Sequence, residues 1–81
     1  MRILVVDDEA ELQSVVTRAL RNDGHTITTA AGLSSAREAL GESPELVVLD
    51  LSLPDGFGLE LCRELRAEGA QLPILVFNSV I

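Results

Sequence analysis

Two short apolar runs in the chain each end in aspartate. Asp7 and Asp8 follow the run at residues 3–6, and Asp50 follows the run at residues 46–49. Short runs of Val, Ile and Leu are typical of strands that are buried in a parallel sheet. Because open α/β sheets bind ligands at the carboxyl ends of their strands, we expect the three carboxylates to lie together at one rim of the sheet.

The chain as a whole alternates between strand-like and helix-like patterns. The pattern predicts strands over 2–6, 25–30, 45–50 and 72–77, and helices over 10–22, 34–40 and 57–68. The turn sequence Pro54-Asp55-Gly56 predicts a loop at residues 51–56, in which Asp55 is interpreted as an ordinary turn residue. A β-α-β-α-β-α-β order requires right-handed crossovers and predicts an α/β fold with a parallel sheet.

Length and composition limit the kinds of partner that we expect. Eighty-one residues predict a single domain over residues 1–81. A net charge of −7 disfavours nucleic acid and anionic membranes, because both require a basic surface. The apolar runs are too short for a membrane span, and the single cysteine, Cys62, fits a reducing compartment. We therefore expect a cytoplasmic protein.

The predicted cluster of Asp7, Asp8 and Asp50 offers only oxygen ligands, which suit a hard cation such as Mg²⁺. Without a cation the three carboxylates repel one another, so at least one pKa should rise. An aspartate in such a site can attack phosphorus and form an aspartyl-phosphate, while the cation neutralises charge on the transferring group. The residues therefore indicate Mg²⁺ as the cofactor, and phosphoryl transfer is one chemistry that such a site can perform.

Three segments of the sequence resemble the receiver domain of two-component response regulators. They are Val5-Val6-Asp7-Asp8-Glu9, Val47-Val48-Leu49-Asp50 and the run from Leu51 to Leu61. The resemblance implies a three-layer, flavodoxin-like fold with parallel strands in the order 2-1-3-4. Pro54 and Gly58 match positions that shape the loop into the third helix. The implied phosphoryl donor is a phosphohistidine on a sensor histidine kinase or a phosphotransfer protein.

The same resemblance implies roles for individual residues of the site. Asp50 matches the phosphoacceptor of the family, and it also touches the metal. Asp7 and Asp8 match the acidic pair that holds Mg²⁺, directly or through water. The backbone carbonyl of Ser52 matches the remaining metal ligand from the protein.

The sequence departs from the receiver pattern on the side that senses the phosphoryl group. A full receiver continues with a helix, a strand and a helix, so the resemblance implies a C-terminally truncated domain; a natural short receiver and a fragment of a longer protein are both open. The family's lysine has no counterpart, because the chain contains no lysine. The family's switch Thr or Ser falls at Asn78, and Ser79 directly after it is a second candidate.

The fourth predicted strand has a neighbour on only one side in this layout. It presents the apolar residues Ile74, Leu75, Val76 and Phe77 along an open edge. Because unpaired apolar edges associate with other strands, we expect a homodimer. It would form through this edge or through the sheet face that a truncated receiver leaves uncovered.

Three interpretations of function stay open from the sequence. The first is a stand-alone dimeric signalling module that accepts phosphate at Asp50 and has no effector domain. The second is a pseudo-receiver that serves as a constitutive interaction scaffold, which the missing lysine and Asn78 favour. A haloacid-dehalogenase-type phosphatase is disfavoured, because Ser52 stands where that family has its second carboxylate. An alternative role for Asp8, with Glu11 three residues later, is to cap the first helix.

Overall fold

A computed structural model describes residues 1–78 of the protein, and these residues form a parallel sheet of four strands with helices on both faces. The four strands of this sheet are β1 (Arg2–Val6), β2 (Thr26–Ala30), β3 (Leu46–Asp50) and β6 (Ile74–Phe77). The helices are α1 (Ala10–Asn22), α2 (Leu33–Ala39) and α3 (Leu59–Ala67), and one 3-10 turn covers Leu40–Glu42. The spatial order of the strands is β2-β1-β3-β6, with every neighbouring pair parallel. The predicted α/β fold and the predicted strand order are confirmed.

The two faces of the sheet bury different sets of side chains. One face packs against α2 and α3 through a cluster of aliphatic residues: Leu4, Val6, Ala30, Leu33, Ala36, Val47, Leu49, Leu61 and Leu65. The other face packs against Val16 and Leu20 of α1 through a smaller cluster: Ile3, Val5, Ile27 and Val48. Because successive side chains of a strand point to opposite faces, the unbroken apolar runs of β1 and β3 serve both clusters.

The segment predicted as a loop contains a short antiparallel hairpin. Its strands are β4 (Ser52–Leu53) and β5 (Gly56–Phe57), and they pair Ser52 with Phe57 and Leu53 with Gly56. The prediction that the third helix starts at residue 57 is therefore wrong, because Phe57 is held in β5. Gly58 is the N-cap of α3, and the helix begins at Leu59.

The open edge predicted for the last strand is present in the described residues. Within residues 1–78, β6 pairs with β3 alone. Leu75 is 60% exposed and Val76 is 39% exposed, whereas Ile74 and Phe77 are partly buried against the two clusters. The apolar side chain of Leu75 is therefore exposed to solvent on the face of the sheet that packs against α1.

Within the same residues, no helix is long and apolar enough to cross a membrane.

Candidate functional site

The three aspartates meet at the carboxyl rim of the sheet, as the sequence predicts. The register that pairs Val6 with Leu49 puts the next residues of β1 and β3, Asp7 and Asp50, side by side. Asp8 follows in the turn to α1, and one carboxylate oxygen from each of the three residues lies within 4.8 Å of the others. Three carboxylates at this separation can share one cation.

Asp7 is the carboxylate of the cluster that has one buried oxygen without a hydrogen-bond donor among the described residues. Its side chain is 1% exposed, and its Oδ1 accepts a hydrogen bond of 3.0 Å from the backbone N–H of Glu9. Its Oδ2 is buried and has no hydrogen-bond partner among the residues that the structure describes. Burial raises the pKa of Asp7, the Glu9 N–H partly opposes this, and the carboxylate of Asp50 raises the pKa further. A buried carboxylate oxygen without a donor fits a metal ligand.

Asp50 is fully buried at the end of β3. Its Oδ1 accepts a 3.0 Å hydrogen bond from the backbone N–H of Ser52, which fixes the carboxylate relative to the hairpin that follows. The same contact turns the chain sharply after Asp50, so that Ser52 begins β4 beside the acidic rim. A divalent cation at this rim would have carboxylates on both sides and the start of the hairpin beside it.

Asp8 is exposed, and the alternative in which it caps α1 is wrong. The N-cap of α1 is Glu9, and its side chain makes no capping hydrogen bond. The Asp8 carboxylate therefore lies with the oxygen cluster and not over the helix N-terminus. The exposed member of the trio also leaves the site open to solvent on one side.

Gly58 lies where only a glycine fits. A Cβ at this position would stand 2.5 Å from the backbone carbonyl oxygen of Asp50 and 3.0 Å from the Cα of Leu51. The backbone N–H of Gly58 also donates a 2.8 Å hydrogen bond to the carbonyl of Leu51. Gly58 thus folds the chain back against the residue that ends β3. Pro54 lies exposed at the tip of the hairpin, between β4 and β5.

Asn78 occupies the position predicted for the switch residue, directly after β6. It is exposed, and its side-chain oxygen accepts a 3.1 Å hydrogen bond from the hydroxyl of Ser52. The backbone of β6 is also joined to the segment between β3 and β4, because the N–H of Leu51 donates a hydrogen bond of 2.9 Å to the carbonyl of Phe77. The other switch candidate, Ser79, lies outside the described residues.

Two contributors to the site were not predicted from the sequence. The side chain of Gln13 donates hydrogen bonds to the carbonyls of Asp7 and Ala30, at 2.9 and 3.2 Å, and so ties the turn after β1 to the end of β2. The carboxylate of Asp55, interpreted as a turn residue, instead accepts two backbone hydrogen bonds from the start of α2. Neither role has a local sequence signal, because Ala30, Leu33 and Ser34 are brought to these side chains only by the packing of the sheet and α2.

The fold and the site together are an open α/β sheet with a cluster of three aspartates at its carboxyl rim, the place where such sheets bind ligands. The sequence matches the family description "Response regulator receiver domain" over residues 3–80. The protein "Probable transcriptional regulatory protein TcrX" of Mycobacterium tuberculosis is 45% identical over 78 residues, which cover 95% of this chain and 33% of that protein. The chain therefore belongs to the receiver domain family of response regulators, and it spans about a third of the length of such curated relatives.

Solved structures agree with this assignment. The BeF3-activated N-terminal receiver domain of RstA from Klebsiella pneumoniae superposes with a TM-score of 0.91 at 30% identity, covering 100% of this chain and 69% of that one. A response regulator from Burkholderia pseudomallei, described with a phosphorylated aspartic acid, a calcium ion and citrate, gives a TM-score of 0.85 at 26% identity, covering 99% of this chain and 48% of that one.

Proposed function

We propose that this receiver domain accepts a phosphoryl group on Asp50 with the help of a divalent cation, Mg²⁺, held by Asp7, Asp8, Asp50 and the backbone carbonyl of Ser52. The observation that carries the proposal is the convergence of the three carboxylates within 4.8 Å, with a buried Asp7 oxygen that lacks a hydrogen-bond partner among residues 1–78. The phosphorylated aspartate and the calcium ion of the Burkholderia pseudomallei regulator support it by analogy.

The chemistry assigned to the protein's own residues is a displacement at phosphorus. A carboxylate oxygen of Asp50 forms the new P–O bond, and the P–N bond of a phosphohistidine donor breaks. The leaving imidazole nitrogen keeps the electron pair of that bond. When bound, the cation neutralises charge on the transferring phosphoryl group. Gly58 and the Ser52 N–H hold the Asp50 backbone and carboxylate in place for this attack.

Mass spectrometry of the intact protein tests the assignment of Asp50. The protein is incubated with Mg²⁺ and acetyl phosphate, and we expect the mass to increase by one phosphoryl group. The increase should be absent when the metal is chelated before acetyl phosphate is added. Asp50→Asn should show no increase. The matched control Asp23→Asn, at the exposed C-cap of α1, should be modified like the wild type. The absence of any increase, or an equal increase in Asp50→Asn, would overturn the proposal.

The phosphoryl donor and the compartment are part of the same proposal. We assign a histidine kinase or a phosphotransfer protein as the donor, and a cytoplasmic location, because these are what the receiver family implies. A net charge of −7 supports protein partners over nucleic acid. Phosphate transfer from a panel of phosphorylated kinase domains, measured against the Asp50→Asn variant, identifies the donor.

We also propose that the 81-residue chain self-associates through the open edge of β6 and the adjoining face. The support is the exposure of Leu75 and Val76 on a strand that has one neighbour among the described residues. Strand addition to an open edge satisfies backbone groups and buries apolar side chains together. Size-exclusion chromatography with light scattering, over a concentration series, should give a two-fold dimer at micromolar concentration. A monomer throughout would contradict this.

A second candidate function, a scaffold that does not switch on phosphorylation, is favoured by two observations on the β6 side. The 81 residues contain no lysine, and Asn78 is already hydrogen-bonded to the Ser52 hydroxyl. The two candidates are separated by measuring the molar mass with and without Mg²⁺ and acetyl phosphate. A change in association that requires Asp50 supports the switch, whereas an unchanged molar mass in a phosphorylated sample supports the scaffold.

A further inference from the structure

The tip of the β4–β5 hairpin is joined to a distant helix by one carboxylate. Asp55 lies in the turn between the two strands, and its Oδ1 accepts a hydrogen bond of 2.7 Å from the backbone N–H of Leu33. Its Oδ2 accepts a hydrogen bond of 3.0 Å from the backbone N–H of Ser34. The two donors are the first residues of α2, which lie 22 and 21 residues earlier in the chain. Asp55 therefore caps a helix to which it does not belong in sequence.

Two glycines allow the hairpin and α2 to approach this closely. A Cβ on Gly32, the N-cap of α2, would stand 2.7 Å from the Oδ1 of Asp55. A Cβ on Gly56 would stand 2.5 Å from a methyl carbon of Leu33, and Gly56 also has a φ of +153°. The close contact thus depends on a glycine on each side, Gly32 at the start of the helix and Gly56 in the hairpin.

Helix α2 is a firm anchor for this contact. Its last turn carries Arg37, whose guanidinium donates two hydrogen bonds, of 2.9 and 2.6 Å, to the carboxylate of Glu64 on α3. Leu33 and Ala36 of α2 are buried in the core beneath the sheet. The hairpin, by contrast, has only two paired positions and would be marginal alone.

The other end of the same hairpin lies at the acidic site. Ser52 opens β4, and its N–H donates to the carboxylate of Asp50. After β5, Gly58 returns the chain to Leu51 and to the Asp50 carbonyl. The hairpin is therefore held at its base by the phosphoacceptor residue and at its tip by Asp55. A shift at the tip has to move Ser52, because so few residues lie between them.

We propose that Asp55 is a positioning residue, which holds the β4–β5 hairpin on the N-terminus of α2 and thereby fixes the Ser52 carbonyl toward the cation. The effect on the cation rests on the proposed function, but the effect on the hairpin does not. The helix gains as well, since its N-cap is a glycine without a side chain to satisfy the first N–H groups. The same two N–H groups hold the pKa of Asp55 below its usual value, so the carboxylate is ionised at neutral pH.

Amide hydrogen exchange by NMR and Mg²⁺ titration, on the wild type and Asp55→Ala, test the proposal. We expect the exchange of the Ser52 and Gly58 amides to accelerate by roughly tenfold and the Mg²⁺ Kd to rise by about tenfold, the low end of effects from groups that orient metal ligands. Asp55→Asn keeps one acceptor oxygen, so its amide exchange rates and its Mg²⁺ Kd should lie between those of the wild type and those of Asp55→Ala. Wild-type exchange at both amides in Asp55→Ala would overturn the proposal.

A matched control separates positioning from general stability. Glu45 also has an exposed carboxylate, which accepts a hydrogen bond of 2.9 Å from the backbone N–H of the sequence-distant Arg2. Unlike Asp55, it lies at the opposite end of the sheet from the acidic rim. Glu45→Ala should lower the Tm and leave both hairpin exchange and the Mg²⁺ Kd unchanged. If Glu45→Ala changes them as much as Asp55→Ala does, Asp55 acts only through stability and the proposal is wrong.

A double-mutant cycle with Gly32→Ala checks that the contact itself matters. The added methyl group displaces the Asp55 carboxylate, so Gly32→Ala alone should reproduce the accelerated hairpin exchange. In the Asp55→Ala background the same substitution should add little, because the group it displaces is gone. Additive effects would contradict the proposal. Should the wild type bind no Mg²⁺, the proposed cation site fails, while the exchange result still decides the role of Asp55.

Discussion

The two sides of strand β3 differ in how completely they are built. At the rim shared with β1, the buried carboxylates of Asp7 and Asp50 each accept a backbone hydrogen bond, and Gly58 has no room for a side chain. Toward β6, the strand ends at an exposed Asn78 and shows solvent the side chains of Leu75 and Val76. The acidic cluster thus lies in a buried and hydrogen-bonded region, whereas the β6 edge is exposed.

This difference teaches which properties of the domain are separable. The acidic rim depends on β1, β3 and the hairpin, which pack into both clusters of the core. The β6 side contributes two contacts to the rim: the Leu51 N–H donates a hydrogen bond to the Phe77 carbonyl, and the Ser52 hydroxyl donates one to the Asn78 side chain. Substitutions on the β1 side should therefore alter cation binding and folding together, whereas substitutions on the β6 edge should alter association alone.

The largest effect is expected at Gly58, on the rigid side. Gly58→Ala should lower the free energy of unfolding by about 1–3 kcal/mol, because the new Cβ would collide with the backbone of Asp50 and Leu51. Urea unfolding followed by circular dichroism measures this change. The control is Gly41→Ala, where a Cβ would meet nothing within 4 Å and the stability should be unchanged or slightly higher. Equal stability of the two variants would contradict the account of the rim.

The next effect is expected on the open side. Leu75→Lys should raise the dimer dissociation constant by about tenfold or more, or about 1.4 kcal/mol, because it places a charge in the apolar contact. Its folding and its Mg²⁺ affinity should remain those of the wild type. Thr29→Lys is the control, since Thr29 is exposed on β2, the strand at the opposite edge of the sheet. If both substitutions weaken association equally, the edge of β6 is not the contact.

A smaller effect, with a sign that depends on the cation, is expected at Asp7. Its folded pKa is raised above 3.8, so its ionisation costs stability as the pH rises from 3.8 through the folded value. Without Mg²⁺ at neutral pH, Asp7→Asn should therefore be more stable than the wild type by on the order of 1 kcal/mol, or about 4–8 °C in Tm. With saturating Mg²⁺ the order should reverse, because only the wild type gains binding energy. An Asp7→Asn variant that is less stable in both conditions would contradict this.

The smallest effect is the pH dependence of the Asp55 cap. The folded pKa of Asp55 is lowered below 3.8 by the N–H groups of Leu33 and Ser34, so its contribution is present above pH 3.8 and is lost as the pH falls through the folded value. The Tm difference between the wild type and Asp55→Asn should be largest at neutral pH and shrink in acid. A difference that is constant from neutral pH to pH 3 would show that the ionised carboxylate is not the cap.

The sequence predicts the acidic rim well because its determinants are local. Each aspartate ends an apolar run, and parallel strands place those ends at one rim by geometry alone. The hairpin was missed because two-residue strands carry no periodic signal. The cap formed by Asp55 was missed because its partners are set by how α2 packs against the sheet, which a single sequence does not show. The exposure of β6 was predicted from strand order, whereas its consequence for association stays a prediction.

The most direct test of the central claim is a Mg²⁺ titration of the wild type followed by NMR of the backbone amides. The account predicts one saturable site, with shifts centred on residues 7–9, 50–52 and 58, and the loss of those shifts in Asp7→Asn. Shifts that fail to saturate, or that centre on acidic residues of α3 such as Glu60 and Glu64, would show that the three carboxylates do not form the cation site.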